Sequence, residues 1–135
     1  GINQLKRLDT MIKKRIDNFQ YFVKNLPNWA FKDFQLKGQS NYAFNLILKE
    51  PNNELMQNLE NALMINKIEY RRGSAGGGNQ LRQPYLSSFV KSNNIDPKKD
   101  YPIADHIHFY GMYIGNFPSL KKEKIDWLLK VINDV

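Results

Sequence analysis

Asn41-Tyr42-Ala43-Phe44-Asn45-Leu46-Ile47-Leu48-Lys49, followed by Glu50-Pro51-Asn52-Asn53, is where the hydrophobic period of the chain switches from strand to helix. Tyr42, Phe44, Leu46 and Leu48 alternate with Ala43, Asn45, Ile47 and Lys49, the period-two pattern of a strand with one strongly apolar face over residues 41 to 49. Pro51-Asn52-Asn53 then opens a helix whose buried stripe is Leu55, Leu59, Ala62 and Leu63 and which ends near Asn66. Residues 67 to 72, Lys-Ile-Glu-Tyr-Arg-Arg, read as a second short strand.

Upstream, Ile2, Leu5, Leu8, Ile12, Ile16, Phe19, Val23 and Leu26 recur at steps of three and four, which predicts one amphipathic helix over residues 2 to 26, ended by Pro27. The helix starts without a capping residue. Gly1 followed at once by Ile-Asn-Gln suggests a cleaved tag or an artificial start, with the native chain continuing upstream. Residues 27 to 40 form a connection carrying Trp29, Phe31 and Phe34, with turn signals at Pro27-Asn28 and Lys37-Gly38. Downstream of Pro84-Tyr85 a turn or short helix leads to the turn at residues 97 to 100. Ile103, Ile107 and Tyr110 predict a helix over 102 to 110, and Met112, Tyr113 and Ile114 a strand. Ser119 is the expected N-cap of a last helix with Leu120, Lys124, Leu128 and Ile132 on one face and Ile125 and Leu129 nearby.

The order α-β-α-β-α-β-α predicts an α/β (α+β) domain: a small three- to four-stranded sheet covered on one face by helices. Its other face is expected to be open, ready to pack against a second domain. Residues 1–135 read as one domain. At 135 residues and 15.9 kDa the chain has room for a real core but little for enclosing a cofactor as well.

Hydrophobic residues at 41% and charged residues at 24% fit an ordinary globular protein, and no apolar run approaches the roughly 20 residues that span a bilayer. The expected location is the cytoplasm, with no membrane partner. The absence of cysteine excludes disulfides, thiolate metal sites and a cysteine nucleophile, and two histidines alone make a poor metal site. A formal charge of +7 attracts polyanions, so nucleic acid, a membrane surface and phosphorylated small molecules all come into question, and charge alone does not choose among them. The lysines fall in small groups on helix faces and in loops and read mostly as solvated surface.

The most ligand-like stretch is residues 69 to 85, Glu-Tyr-Arg-Arg-Gly-Ser-Ala-Gly-Gly-Gly-Asn-Gln-Leu-Arg-Gln-Pro-Tyr. Gly73, Gly76, Gly77 and Gly78 permit φ > 0 and close approach of backbone N–H groups to an anion. Arg71, Arg72 and Arg82 add forked donors suited to phosphate, while Asn79 and Gln83 can meet sugar hydroxyls. The alternative is that at least one arginine forms a structural ion pair with Glu69 or Asp105 and that the amides tie the loop to itself. His106 and His108 lie two apart on a helix, so at most one faces a site; His106 is the candidate. No residue is assigned a catalytic role, and none a metal.

A set of short strings, in this order, resembles the C-terminal small domain of the DegT/StrS family of pyridoxal-phosphate-dependent sugar aminotransferases and dehydratases. They are Gly1 to Leu5 with Leu8-Asp9 and Arg15, Tyr42-Ala43-Phe44, Ile68 to Arg71, Gly78-Asn79, Gln83-Pro84, Ala104-Asp105, and Gly111 to Gly115 with Pro118. Leu81-Arg82-Gln83-Pro84 and Tyr113 to Pro118 look closest to the nucleotide-sugar 3-dehydratase branch. The resemblance implies the small domain of a fold-type I enzyme working on a nucleotide-linked 4-keto-6-deoxy sugar in lipopolysaccharide or deoxysugar biosynthesis. It implies a homodimer, with PLP or PMP held mainly by an N-terminal large domain outside this chain. In such enzymes a lysine carries the cofactor of an aminotransferase and a histidine replaces it in a dehydratase. That residue belongs to the large domain, so this chain alone is expected to be inactive. The competing readings are a basic nucleic-acid-binding module, against which the aromatic residues alternate as core positions, and a non-catalytic regulatory domain.

Overall fold

A computed structural model describes residues 2 to 73 and 78 to 135. Helix α1 runs Ile2–Lys24, strand β1 Ala43–Ile47, helix α2 Asn53–Ile65 and strand β2 Arg71–Arg72. Two 3-10 turns, Gln80–Arg82 and Pro84–Leu86, precede helices α3 (Ser87–Ser92), α4 (Pro97–Asp100) and α5 (Pro102–Tyr110). Strand β3, Gly111–Gly115, follows α5 directly, and α6 spans Lys122–Asn133.

The sheet is fully antiparallel in the order β1-β3-β2, so the last strand in sequence is the middle one in space. Phe44 lies opposite Ile114 and Leu46 opposite Met112, and these four make the inward face. Asn45, Tyr113 and Arg71 form one row across the outer face, where side chains remain partly exposed. Phe22 of α1 stacks on Phe44 with ring centroids 4.5 Å apart, and Leu59 and Leu63 of α2 and Ile125 and Ile132 of α6 complete the core. A one-residue bridge between Ala30 and Leu48 extends the β1 edge, the only trace of a fourth strand among the described residues.

Three expectations need correction. Residues 67 to 70 are not strand: Lys67 takes a left-handed φ of 55° and the N–H of Ile68 bonds the Leu63 carbonyl at 2.9 Å, closing α2, so only Arg71 and Arg72 pair with β3. Ser119 does not cap α6, because Phe117 and Leu120 close a turn around it and the helix starts after Lys121 without a side-chain cap. Lys124 lies outside the α6 stripe, which is Ile125, Leu128, Leu129 and Ile132 with Val131 beside it. Helix α1 is amphipathic throughout, yet only Phe19, Phe22 and Val23 are buried; Ile2, Leu5 and Leu8 stand exposed. No helix among the described residues is long and apolar enough to cross a membrane.

Candidate functional site

The chain leaves the sheet after Arg72, and the Gly78 N–H bonds the Gly73 carbonyl at 3.2 Å, which joins the two sides of the loop's neck. Gly76 and Gly77 lie outside the described residues. At Gly73 and Gly78 the glycine requirement is steric: an added Cβ would sit 2.7 Å and 2.3 Å from Nδ1 of His108, and at Gly78 also 2.5 Å from the Gly73 Cα. Neither uses a positive φ, so the expected left-handed backbone is not what selects them.

Each of the three arginines has an acidic neighbour. Arg82 engages Asp105 through Nε and, at 2.9 Å, through Nη2, and its guanidinium lies over the Phe109 ring, 4.8 Å from the centroid. Arg72 pairs with Glu60 of α2 at 3.0 Å and donates from Nη2 to the Phe109 carbonyl near the C-terminus of α5. Arg71 is the least committed, 3.8 Å from an exposed Glu69.

Asn79 is buried, and all its groups have partners. Its N–H donates to His108 Nδ1 at 3.2 Å, its side-chain oxygen accepts the Leu81 N–H at 3.0 Å, and Nδ2 donates to Asp105 at 3.3 Å. Gln83 is half-buried at the joint between the two 3-10 turns, its N–H bonding the Gln80 carbonyl. The His106 Nε2–H donates to the Leu48 carbonyl at 2.6 Å, which ties α5 to the end of β1. Its ring lies 5.1 Å from that of Tyr110, whose hydroxyl bonds Asn53.

Arg82 and His106 meet in one cleft of about 650 Å³, together with Asn53, Lys98, Asp105 and Phe109. Asn79 lies behind it, joined through Asp105, and Arg72 is anchored to α2. Arg71 instead borders a separate, largely apolar groove of about 600 Å³ with Tyr113, Lys124 and Trp127. The predicted set is thus divided between a cleft, a buried support and a groove. Lys98 reads from the sequence as surface; that it and Arg82, sixteen positions apart, line one cleft leaves no local signal. His108 reads from the sequence as a packed or surface histidine, although the i, i+3 spacing from Asp105 places both on one side of α5.

Hydrogen bonds from Arg82 hold the Asp105 carboxyl below its usual range despite burial, with Asn79 and His108 adding to the effect. The His108 ring is pushed below the ordinary histidine value by burial and then by Arg82, with Asp105 opposing and Arg72 adding to it. The cleft can therefore receive an anionic, hydroxyl-bearing ligand on Arg82, Lys98 and Asn53. It does not build a pyridoxal-phosphate cradle: its carboxylate, Asp105, is engaged by Arg82 and Asn79, and the His106 Nε2–H by a carbonyl.

No family model matches the chain. It is 25% identical over 144 residues to the GDP-4-keto-6-deoxy-D-mannose 3-dehydratase of Escherichia coli O55:H7 (strain CB9615 / EPEC), a match covering 98% of this chain and 33% of that protein. A crystal structure of GDP-4-keto-6-deoxymannose-3-dehydratase with a trapped PLP-glutamate geminal diamine superposes with a TM-score of 0.74 at 24% identity, over 98% of this chain and 33% of the other. The putative sugar aminotransferase Spr1654 from Streptococcus pneumoniae, in its PMP form, gives 0.69 at 13% identity, over 99% and 33%. The chain spans about a third of the length of each. The two structures establish the fold, and the resemblance to a C-terminal domain of such PLP-dependent sugar dehydratases and aminotransferases holds.

Proposed function

We propose that the chain is the small C-terminal domain of a PLP- or PMP-dependent enzyme that modifies a nucleotide-linked 4-keto-6-deoxy sugar, by 3-dehydration or by amine transfer, for lipopolysaccharide or a related glycan. The observation that carries this reading is the match of 98% of the chain to a third of a GDP-sugar 3-dehydratase. The rest of such an enzyme supplies the cofactor, which provides the electron sink for the sugar chemistry. This chain's part is binding. Arg82, Lys98 and His106 line the wall that meets the nucleotide sugar; Arg71 adds charge at the neighbouring groove; Arg72, Asn79 and Gln83 hold the loop that presents Arg82. The intact enzyme is a cytoplasmic DegT-type homodimer in this reading.

The aromatic residues disfavour the nucleic-acid alternative, because Phe19, Phe22 and Phe44 are buried in the core instead of standing on a basic face. The deciding observation is the gene upstream of Gly1. A cofactor domain with histidine at the Schiff-base position makes the enzyme a dehydratase, lysine makes it an aminotransferase, and the lack of any such domain overturns the proposal. Titration with a labelled oligonucleotide over a salt series separates the alternative: steep loss of binding with salt would support nucleic acid.

A further inference from the structure

His108, on α5, is half-buried against the neck of the glycine loop and takes no part in lining the cleft. We propose that His108 is a positioning residue: its unprotonated Nδ1 latches the loop neck, and protonation of the ring releases it.

The geometry carries the argument. An Asn79 N–H directed at Nδ1 requires a lone pair there, so the ring proton sits on Nε2. Gly73 and Gly78 are the only residue type that lets the ring approach the neck this closely, since a Cβ at either would overlap Nδ1. The ring is thus held by shape on one side and by a single acceptor contact on the other. The charged groups around it are Arg72 from β2, itself paired with Glu60 of α2, Arg82 from the 3-10 turn and Asp105 from its own helix. A proton on Nδ1 would turn the acceptor into a donor facing the Asn79 N–H and add a third cation beside Arg72 and Arg82, with Asp105 already bonded to Arg82 and Asn79. Loss of the contact frees the Asn79 backbone, and with it the amide that shares Asp105 with Arg82. The position of Asn79 is thereby coupled to the guanidinium that lines the cleft. Only the effect on a sugar ligand rests on the function proposed above; the latch stands on the chain alone.

The test uses the 15N-labelled 135-residue chain without ligand, followed by NMR between pH 8 and pH 5. The expected result is a neutral His108 with the proton on Nε2 at the upper end, an Asn79 amide protected from hydrogen exchange, and loss of roughly five- to tenfold of that protection at the midpoint of the His108 titration. Core amides such as Phe44 should keep theirs. His108→Asn, which retains an acceptor near the Nδ1 position, should preserve protection and abolish its pH dependence. His108→Phe, which fills the space without an acceptor, should lose protection at every pH. A proton on Nδ1 at pH 8, Asn79 exchange indifferent to the ring's titration, or full protection in His108→Phe would overturn the latch. The unmutated chain decides alone if a variant fails to fold. A chain that binds no nucleotide sugar would leave this result untouched.

Discussion

Asp105 holds Arg82 by two guanidinium nitrogens, with Oδ2 2.9 Å from Nη2, and the same carboxylate accepts the side-chain amide of Asn79. One buried acid on α5 therefore orients both a cleft residue and the neck of the glycine loop. Arg82 is a third exposed on its side chain, so the pair is anchored on the protein side and open on the solvent side.

Replacing that acid tests its weight. Asp105→Asn keeps the shape but removes the charge and one acceptor, and should lower stability by about 1–3 kcal/mol in urea unfolding. Asp105→Ala should cost at least as much. An unchanged midpoint in both would show that Arg82 finds water as readily as its acid.

Stability should fall with acid in two windows. The folded pKa of His108 lies below the ordinary histidine value of about 6.5, so the unfolded chain takes up protons first as pH drops. The stabilisation is full above that value and is lost as pH falls through the folded pKa. Asp105 is also depressed, so its contribution is present above about 3.8 and is lost as pH falls through its lower folded value. Urea midpoints measured from pH 8 downward should decline first near pH 6, and His108→Phe should remove that first step. A midpoint that rises on acidification would contradict both signs.

Phe44 is fully buried against Phe22, and Phe44→Ala should destabilise by about 3–5 kcal/mol through lost contact and the cavity left behind. Ile103, on the surface of α5, offers the contrast. Ile103→Ala should stay within about 0.5 kcal/mol by the same measurement.

Asn116 follows β3 and is 2% exposed; its Nδ2 donates to the carbonyls of Arg15 at 2.9 Å and Asn41 at 2.8 Å. Asn116→Asp has the same outline but no donor, and should cost about 1–3 kcal/mol or more by leaving two carbonyls facing a carboxyl. If Asn116→Asp and Asn116→Ala both unfold at the unmutated midpoint, the tie between α1 and the sheet is not what holds that corner.

On the function proposed above, Lys98→Ala in the intact enzyme should raise KM for the nucleotide sugar roughly five- to tenfold while leaving kcat nearly unchanged, the pattern of uniform binding. A selective fall in kcat would place Lys98 in the chemistry instead, and no change in either would remove it from the cleft.

Much of the fold was legible along the chain. The alternation from Tyr42 to Leu48 announced β1, the apolar spacing announced α1, α2 and α5, and Asn52 caps α2 with its side chain on the Leu55 N–H. These signals are local, because helix and strand periods and caps are set by residues a few positions apart. Where a nonlocal contact competed, the local reading failed. The run 67 to 72 has strand composition, but Lys67 and Ile68 close α2 instead, and Ser119 lies in a turn made by its neighbours.

The candidate site divides along the same line. Composition alone marked the arginines, glycines and amides as a polar loop, and left open whether the arginines met a ligand or an acid. That choice needed Asp105 and Glu60, which lie 23 and 12 residues from their partners Arg82 and Arg72. The placing of β3 between β1 and β2, the seat of His108 beside two glycines and the sharing of one cleft by Lys98 and Arg82 are likewise products of chain closure. Periodicity carries no information about which distant surfaces meet; only burial of the Phe44 face against α1, α2 and α6 brings them together.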